Sequence, residues 1–177
     1  MSEHFEESSS SEDHHHHSAC KCLETVSVRD MREVLSKYRN SPGDIQTVTR
    51  RNTVLKFSDV SCGTVTANLP NNCEQIDFEI CFIFSYSPLK GNPSTFVPPN
   101  CNNCRCIVDT CVISMRERLK LHKKNNQLLN VNSIGLNSIT RVNVIEVREG
   151  VAVFKEPGAE NVIFVSLSLI ESLELTV

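Results

Sequence analysis

The chain has 177 residues and a mass of 19.9 kDa, room for one domain plus a tail at ~100–200 residues per domain. With 40% apolar residues, 22% charged residues and a net charge of −3, it can build a core and is neither a strongly basic nucleic-acid clamp nor a polyacidic chain. No run approaches the ~18 consecutive apolar residues of a membrane-spanning helix.

Residues 1–19 read MSEHFEESSSSEDHHHHSA, with five acids and no Lys or Arg. Only Met1, Phe5 and Ala19 are apolar, so burial cannot offset the ordering entropy. A disordered acidic tail over 1–22 is expected, followed by a single β-rich domain over 23–177. Without residues 1–19, 18 Lys and Arg face 16 acids, a net of +2. Ser8–Ser11 before Glu12 and Asp13 suits acidic-directed phosphorylation, which would add negative charge. His14–His17 reads as native to this acidic context, with a tag remnant as the alternative. An N-terminus this acidic is the opposite of a secretory leader. Nine Cys, an odd number, then point to reduced thiols in a cytoplasmic or nuclear setting.

The first expected element is a helix at about 28–39, where Val28, Met31, Val34, Leu35 and Tyr38 share one face. Ser27 and Asp30 resemble a capping box, and Ser41-Pro42-Gly43 stops the helix. After residue 44 the period becomes two. Residues 53–57 and 60–69 read as strands, with Gly63 as a bulge. Residues 76–86 read as one core strand, with Ile76, Phe78, Ile80, Phe82, Phe84 and Tyr86 on its apolar face. Residues 87–103 hold four Pro and four Asn and form a long loop of the kind that is often functional. Phe96 and Val97 within it are candidate partner contacts.

Residues 105–113 read as a strand. A helix is favoured at 114–124, where Ser114 and Glu117 form a capping-box pattern. Strand alternation of Leu119 and Leu121 is the competing reading. Residues 125–138 read as irregular. Strands at 139–148 and 151–155 flank the hairpin signal Glu149-Gly150, and 162–169 is a further strand. No internal repeat is found. The strands cluster instead of alternating with helices. The expected fold is therefore mainly β (α+β), an antiparallel β-sandwich or open barrel of about six to eight strands with one or two packed helices.

The densest candidate chemistry is Cys101, Cys104, Cys106 and Cys111. The two-residue gap between Cys101 and Cys104 lets a turn present both sulfurs to one zinc ion. Cys106 and Cys111 complete the candidate set, with Cys20 and Cys22 or His122 as other donors. The leading expectation is ordinary reduced thiols, and one structural zinc is the alternative. Cys62, Cys73 and Cys81 read as core or sheet-face residues. Two stretches are basic, 29–56 and 105–124, each at net +4. Within the second, Arg116, Arg118, Lys120, Lys123 and Lys124 are candidates for an RNA backbone or an anionic membrane surface. Aromatics suited to base stacking are not evident, because Phe78, Phe82 and Phe84 fall on the apolar strand face. No Gly-rich phosphate loop, Gly-x-Ser-x-Gly or His-Glu-x-x-His occurs. His122 is the lone His outside the tail.

A β-rich domain behind an acidic, Ser-rich tail is similar in layout to matrix proteins of negative-strand RNA viruses. With its Cys cluster at 101–111, it also resembles the Cys-rich accessory proteins with which RNA viruses suppress host silencing. The resemblance implies a non-enzymatic assembly or suppressor role. The expectation is thus an intracellular, non-enzymatic structural or interaction protein that self-associates or binds another protein, with no small-molecule substrate. The alternative is a nucleic-acid-binding protein with a zinc-stabilised loop and a basic face.

Overall fold

The computed structural model describes residues 23–49, 51–69, 75–89, 105–107 and 110–176. The acidic tail, Phe96, Val97, Cys101 and Cys104 lie outside the described residues. In chain order the elements begin with β1 (Leu23–Thr25), α1 (Val26–Lys37), β2 (Pro42–Thr47), β3 (Arg51–Val60) and β4 (Thr64–Asn68). Next come β5 (Gln75–Glu79), a 3₁₀ turn (Ile80–Phe82), β6 (Ile83–Pro88), β7 (Arg105–Ile107) and α2 (Thr110–Lys124). The last are β8 (Leu128–Ser133), β9 (Ser138–Val147), β10 (Val151–Lys155), β11 (Ile163–Ser166), a second 3₁₀ turn (Leu167–Leu169) and β12 (Ile170–Leu175).

Ten strands form one antiparallel sheet in the order β12-β8-β9-β10-β11-β6-β2-β3-β4-β5, while β1 and β7 pair in parallel beside it. The mainly-β class with packed helices holds. The sandwich or barrel of six to eight strands does not, because one open sheet carries all ten. Several expected elements also change. The run 76–86 is not one strand: it breaks at the 3₁₀ turn, where Phe82 is 51% exposed. Beyond the break Ile83, Phe84, Ser85 and Tyr86 are all buried, since β6 sits mid-sheet with both faces covered and alternation carries no information there. The run 162–169 breaks the same way at Leu167. The strand expected over 105–113 is limited to 105–107, and the helix begins at Thr110. The Asn-rich 125–138 segment contains β8.

The sheet is built from one unit used twice. Each unit is a helix, four strands, a 3₁₀ turn and a fifth strand that pairs back onto the first, giving β6-β2-β3-β4-β5 and β12-β8-β9-β10-β11. Equivalent backbone hydrogen bonds mark the match. Val48 N donates to Phe82 O at 3.0 Å, and Ile134 N to Leu169 O at 3.0 Å. Ile80 N donates to Gly63 O at 2.9 Å, and Leu167 N to Gly150 O at 2.9 Å. Asn40 and Asn126, each just past a helix, both take positive φ, 66° and 49°. The helices share Val-x-x-Met-Arg-Glu-x-Leu, Val28–Leu35 in α1 and Val112–Leu119 in α2. The reading of no internal repeat is therefore corrected.

Within a flat unit the fourth and fifth strands would lie about 19 Å apart, four strand spacings. A three-residue 3₁₀ turn at ~2 Å per residue cannot span that. Each unit must therefore curl until its two edges approach, which wraps the sheet around an apolar core. One core gathers Met31, Leu35, Leu55, Phe57 and Ile80, and the other Leu119, Leu129, Val142, Phe154 and Leu167. At the junction β11 pairs with β6, Phe164 opposite Tyr86 and Val165 opposite Ser85. There β10 and β11 feed both cores: Val151, Val153 and Phe164 enter the first, Ala152, Phe154 and Val165 the second.

Helix α1 is seated across this junction. Its N-cap is Thr25, whose Oγ1 accepts from Val28 N at 3.3 Å, not Ser27. Ser27 and Asp30 are buried inside the helix and serve the other unit. Asp30 Oδ2 accepts from Gly150 N at 2.7 Å, and Ser27 Oγ accepts from Ser168 N at 3.3 Å. A Cβ on Gly150 would come within 2.3 Å of the Val26 carbonyl, whereas one on Gly63, its counterpart, meets nothing within 4 Å. Gly150→Ala should therefore destabilise the chain by roughly 3 kcal/mol, or ~6–12 °C in Tm at this size. Gly63→Ala should shift the dilute chain by less than ~0.5 kcal/mol. Thermal melts of both variants at low concentration check this.

Candidate functional site

Of the four candidate zinc cysteines, Cys101 and Cys104 lie outside the described residues. Cys106 is placed in β7 by its backbone, and Cys111 is exposed in the first turn of α2. No group of three His, Cys, Asp or Glu side chains that could hold a metal forms among the described residues. Cys62, exposed at the β3–β4 turn, is disulfide-bonded. The reduced-thiol expectation fails for that residue. Cys81, expected in the core or on a sheet face, sits exposed in the first 3₁₀ turn. Its Sγ lies 3.7 Å from Glu79 Oε2.

The two basic stretches have different fates. In the first, Arg29 bridges Asp30 at 2.7 Å and Glu149 at 2.6 Å. Arg39 Nε donates to Ser58 O at 2.7 Å. Arg32 is buried, and its Nη1 donates to Cys62 O at 3.3 Å. These cations hold the fold. In the second, Arg118, Lys120, Lys123 and Lys124 are exposed on α2, and Arg116 is half-buried. Lys120 pairs with Glu117 at 2.8 Å and holds that carboxyl below the usual range. The three lysines line a shallow concavity with Val147. His122 is occupied structurally, its Nδ1 lying 2.7 Å from Gln127 Oε1.

What the sequence reading missed are the two ends of the sheet. Among the described residues β5 pairs with β4 alone, and β12 with β8 alone. Neither strand contains the Lys or Pro that commonly guard sheet edges: β5 is Gln-Ile-Asp-Phe-Glu and β12 is Ile-Glu-Ser-Leu-Glu-Leu. Gln75, Asp77 and Glu79 are exposed on β5, and Thr66 Oγ1 donates to Asp77 Oδ1 at 2.6 Å. Leu175 on β12 is 55% exposed. The repeated helix motif was the available signal. Once the chain is read as two equal units, one unit's fourth strand and the other's fifth must be left over as edges.

The chain matches no known protein-family model, no curated protein and no solved structure. Among the described residues no helix is long and apolar enough to cross a membrane.

Partial desolvation at the Cys81 sulfur raises its pKa above that of an ordinary thiol, and the Glu79 carboxylate adds to the effect. At pH 8 its thiolate fraction is therefore small, and iodoacetamide should modify it more slowly than an unperturbed exposed thiol. Glu79→Gln removes the charge and lowers the pKa. Alkylation followed by mass spectrometry should then run roughly twofold faster or more.

Proposed function

We propose that the chain is a non-enzymatic interaction module whose binding surfaces are the two unpaired sheet edges, β5 and β12. The observation that supports this is that, among the described residues, the sheet ends on two edge strands that contain neither Lys nor Pro. Adding a strand to such an edge supplies main-chain hydrogen bonds, and alternate side chains set the choice of partner. A structural or assembly role suits the surface better than catalysis. The matrix-like layout rests on residues 1–19, and the partner-loop reading rests on Phe96 and Val97. Hydrogen exchange on complexes purified from cells through the full chain tests the edge reading. Exchange should slow at residues 75–79 and 170–175. Slowing confined to α2 would overturn it.

A second reading is favoured by the three lysines that converge beside Val147. It takes α2 as a contact for the phosphates of single-stranded RNA. Replacing Lys120, Lys123 and Lys124 by Ala should weaken binding of poly(U). It should also reduce the salt slope by ~2, at ~0.7 per phosphate contact on a single strand. An unchanged slope in a filter-binding titration would remove this reading.

A further inference from the structure

We infer that the occupant of the open edges is a second copy of this chain, docked head to tail so that β5 of one copy pairs with β12 of the next. This rests on the edge-binding reading and names its partner. The template is the junction inside the chain, where the fourth strand of the C-terminal unit (β11) pairs with the fifth strand of the N-terminal unit (β6). The unmatched pieces are the fourth strand of the N-terminal unit, β5, and the fifth strand of the C-terminal unit, β12. They are the same two surfaces, left over.

The repeat translates each junction contact into an expected one between copies. Phe164 opposite Tyr86 becomes Asp77 opposite Leu173, and Val165 opposite Ser85 becomes Phe78 opposite Ser172. The seat of α1 becomes a seat for α2 of the neighbour. Asp30 on Gly150 becomes Ser114 approaching Gly63, whose surroundings are open. Ser27 on Ser168 becomes Cys111 beside Cys81, both exposed cysteines. The exposed flank of α2 matches this role, because the counterparts of buried Ser27, Asp30 and Val34 are Cys111, Ser114 and Arg118, all exposed.

The chemistry of the docked faces is changed but complementary. Inside the chain, Tyr38 packs on Phe164 with ring centroids 5.8 Å apart, against the core that also holds Val151 and Val153. At the open end the counterparts of Phe164, Val151 and Val153 are Asp77, Thr64 and Thr66. The counterparts of Tyr38 and Val34 are His122 and Arg118. An apolar contact within the chain is replaced by an acidic strand face against a basic helix face, which favours encounter and register. Extending the ladder brings Glu79 opposite Glu171, a like-charge pair that costs part of this gain. The contact is heterologous, so it closes into a ring if the rotation permits and otherwise grows into a filament.

Sedimentation velocity of the full chain over a concentration series tests the inference, together with mild oxidation of an equal mixture of ¹⁴N and ¹⁵N chains. Expected are concentration-dependent oligomers and a mixed-isotope peptide joining Cys81 to Cys111. Gly63→Ala, whose Cβ would meet the neighbour's α2 as Gly150's would meet α1, should leave the melt of the dilute chain unchanged and weaken association at least tenfold. Arg118→Glu should also weaken it. A chain that remains monomeric at high concentration overturns the inference. So do oligomers indifferent to Gly63→Ala or lacking the Cys81–Cys111 link. If the chain is monomeric but its complexes still slow exchange at residues 75–79 and 170–175, head-to-tail docking is wrong and the edge-binding reading stands.

Discussion

The pairing of β11 with β6 is the contact on which the rest of the molecule depends. It makes one ten-stranded sheet from two curled five-stranded units. It also places β10, β11 and β6 where both faces are covered, so successive residues in those strands are buried. Helix α1 then locks the junction. Asp30 satisfies a buried amide at Gly150, and leaving such a group unpaired costs about 1–3 kcal/mol. At another point of contact between the units, Asn137 Nδ2 donates to the Thr47 carbonyl.

The same helix motif does different work in the two units. In α1 the face beyond the motif is buried by the C-terminal unit and carries Ser27 and Asp30 as hydrogen-bonding side chains. In α2 that face is exposed, and the apolar residues kept are those that face its own unit, such as Val112 and Leu119. Duplication thus accounts for both helices, and the difference in their neighbours accounts for the different residues.

Elements with a strong local period or a tight turn signal were legible in the sequence. The helical face of Val28, Met31, Val34 and Leu35 located α1, and Glu149-Gly150 located the β9–β10 hairpin. What failed were segments whose period was hidden or deceptive. Ile76–Tyr86 alternates without a break, yet a turn at Ile80–Phe82 exposes Phe82, and beyond it successive side chains are all buried. Ser27 and Asp30 look like a cap because side chains that cap and side chains that reach a distant amide are the same types. The strand β8 is masked by Asn130 and Asn132, whose amides are absorbed at the sheet: Asn132 Nδ2 donates to Ser172 Oγ at 3.0 Å, and Asn130 Oδ1 accepts from Arg141 N at 3.0 Å. The residues of the edge strands do not mark them as edges, because an unpaired strand is defined by the topology of the whole sheet; the one hint was the repeated helix motif.

The seat of α1 also sets the order of events in time. Ser27 and Ser168 are 141 positions apart, so this contact forms only after nearly the whole chain is available. Contacts of such separation fold slowly, since loop-closure entropy is lost before they contribute. Until α1 docks, Val151, Val153 and Phe164 form an apolar stripe on β10 and β11 without their cover. A chain halted at that stage shows other molecules its stickiest strands, and premature aggregation is the characteristic hazard of such intermediates.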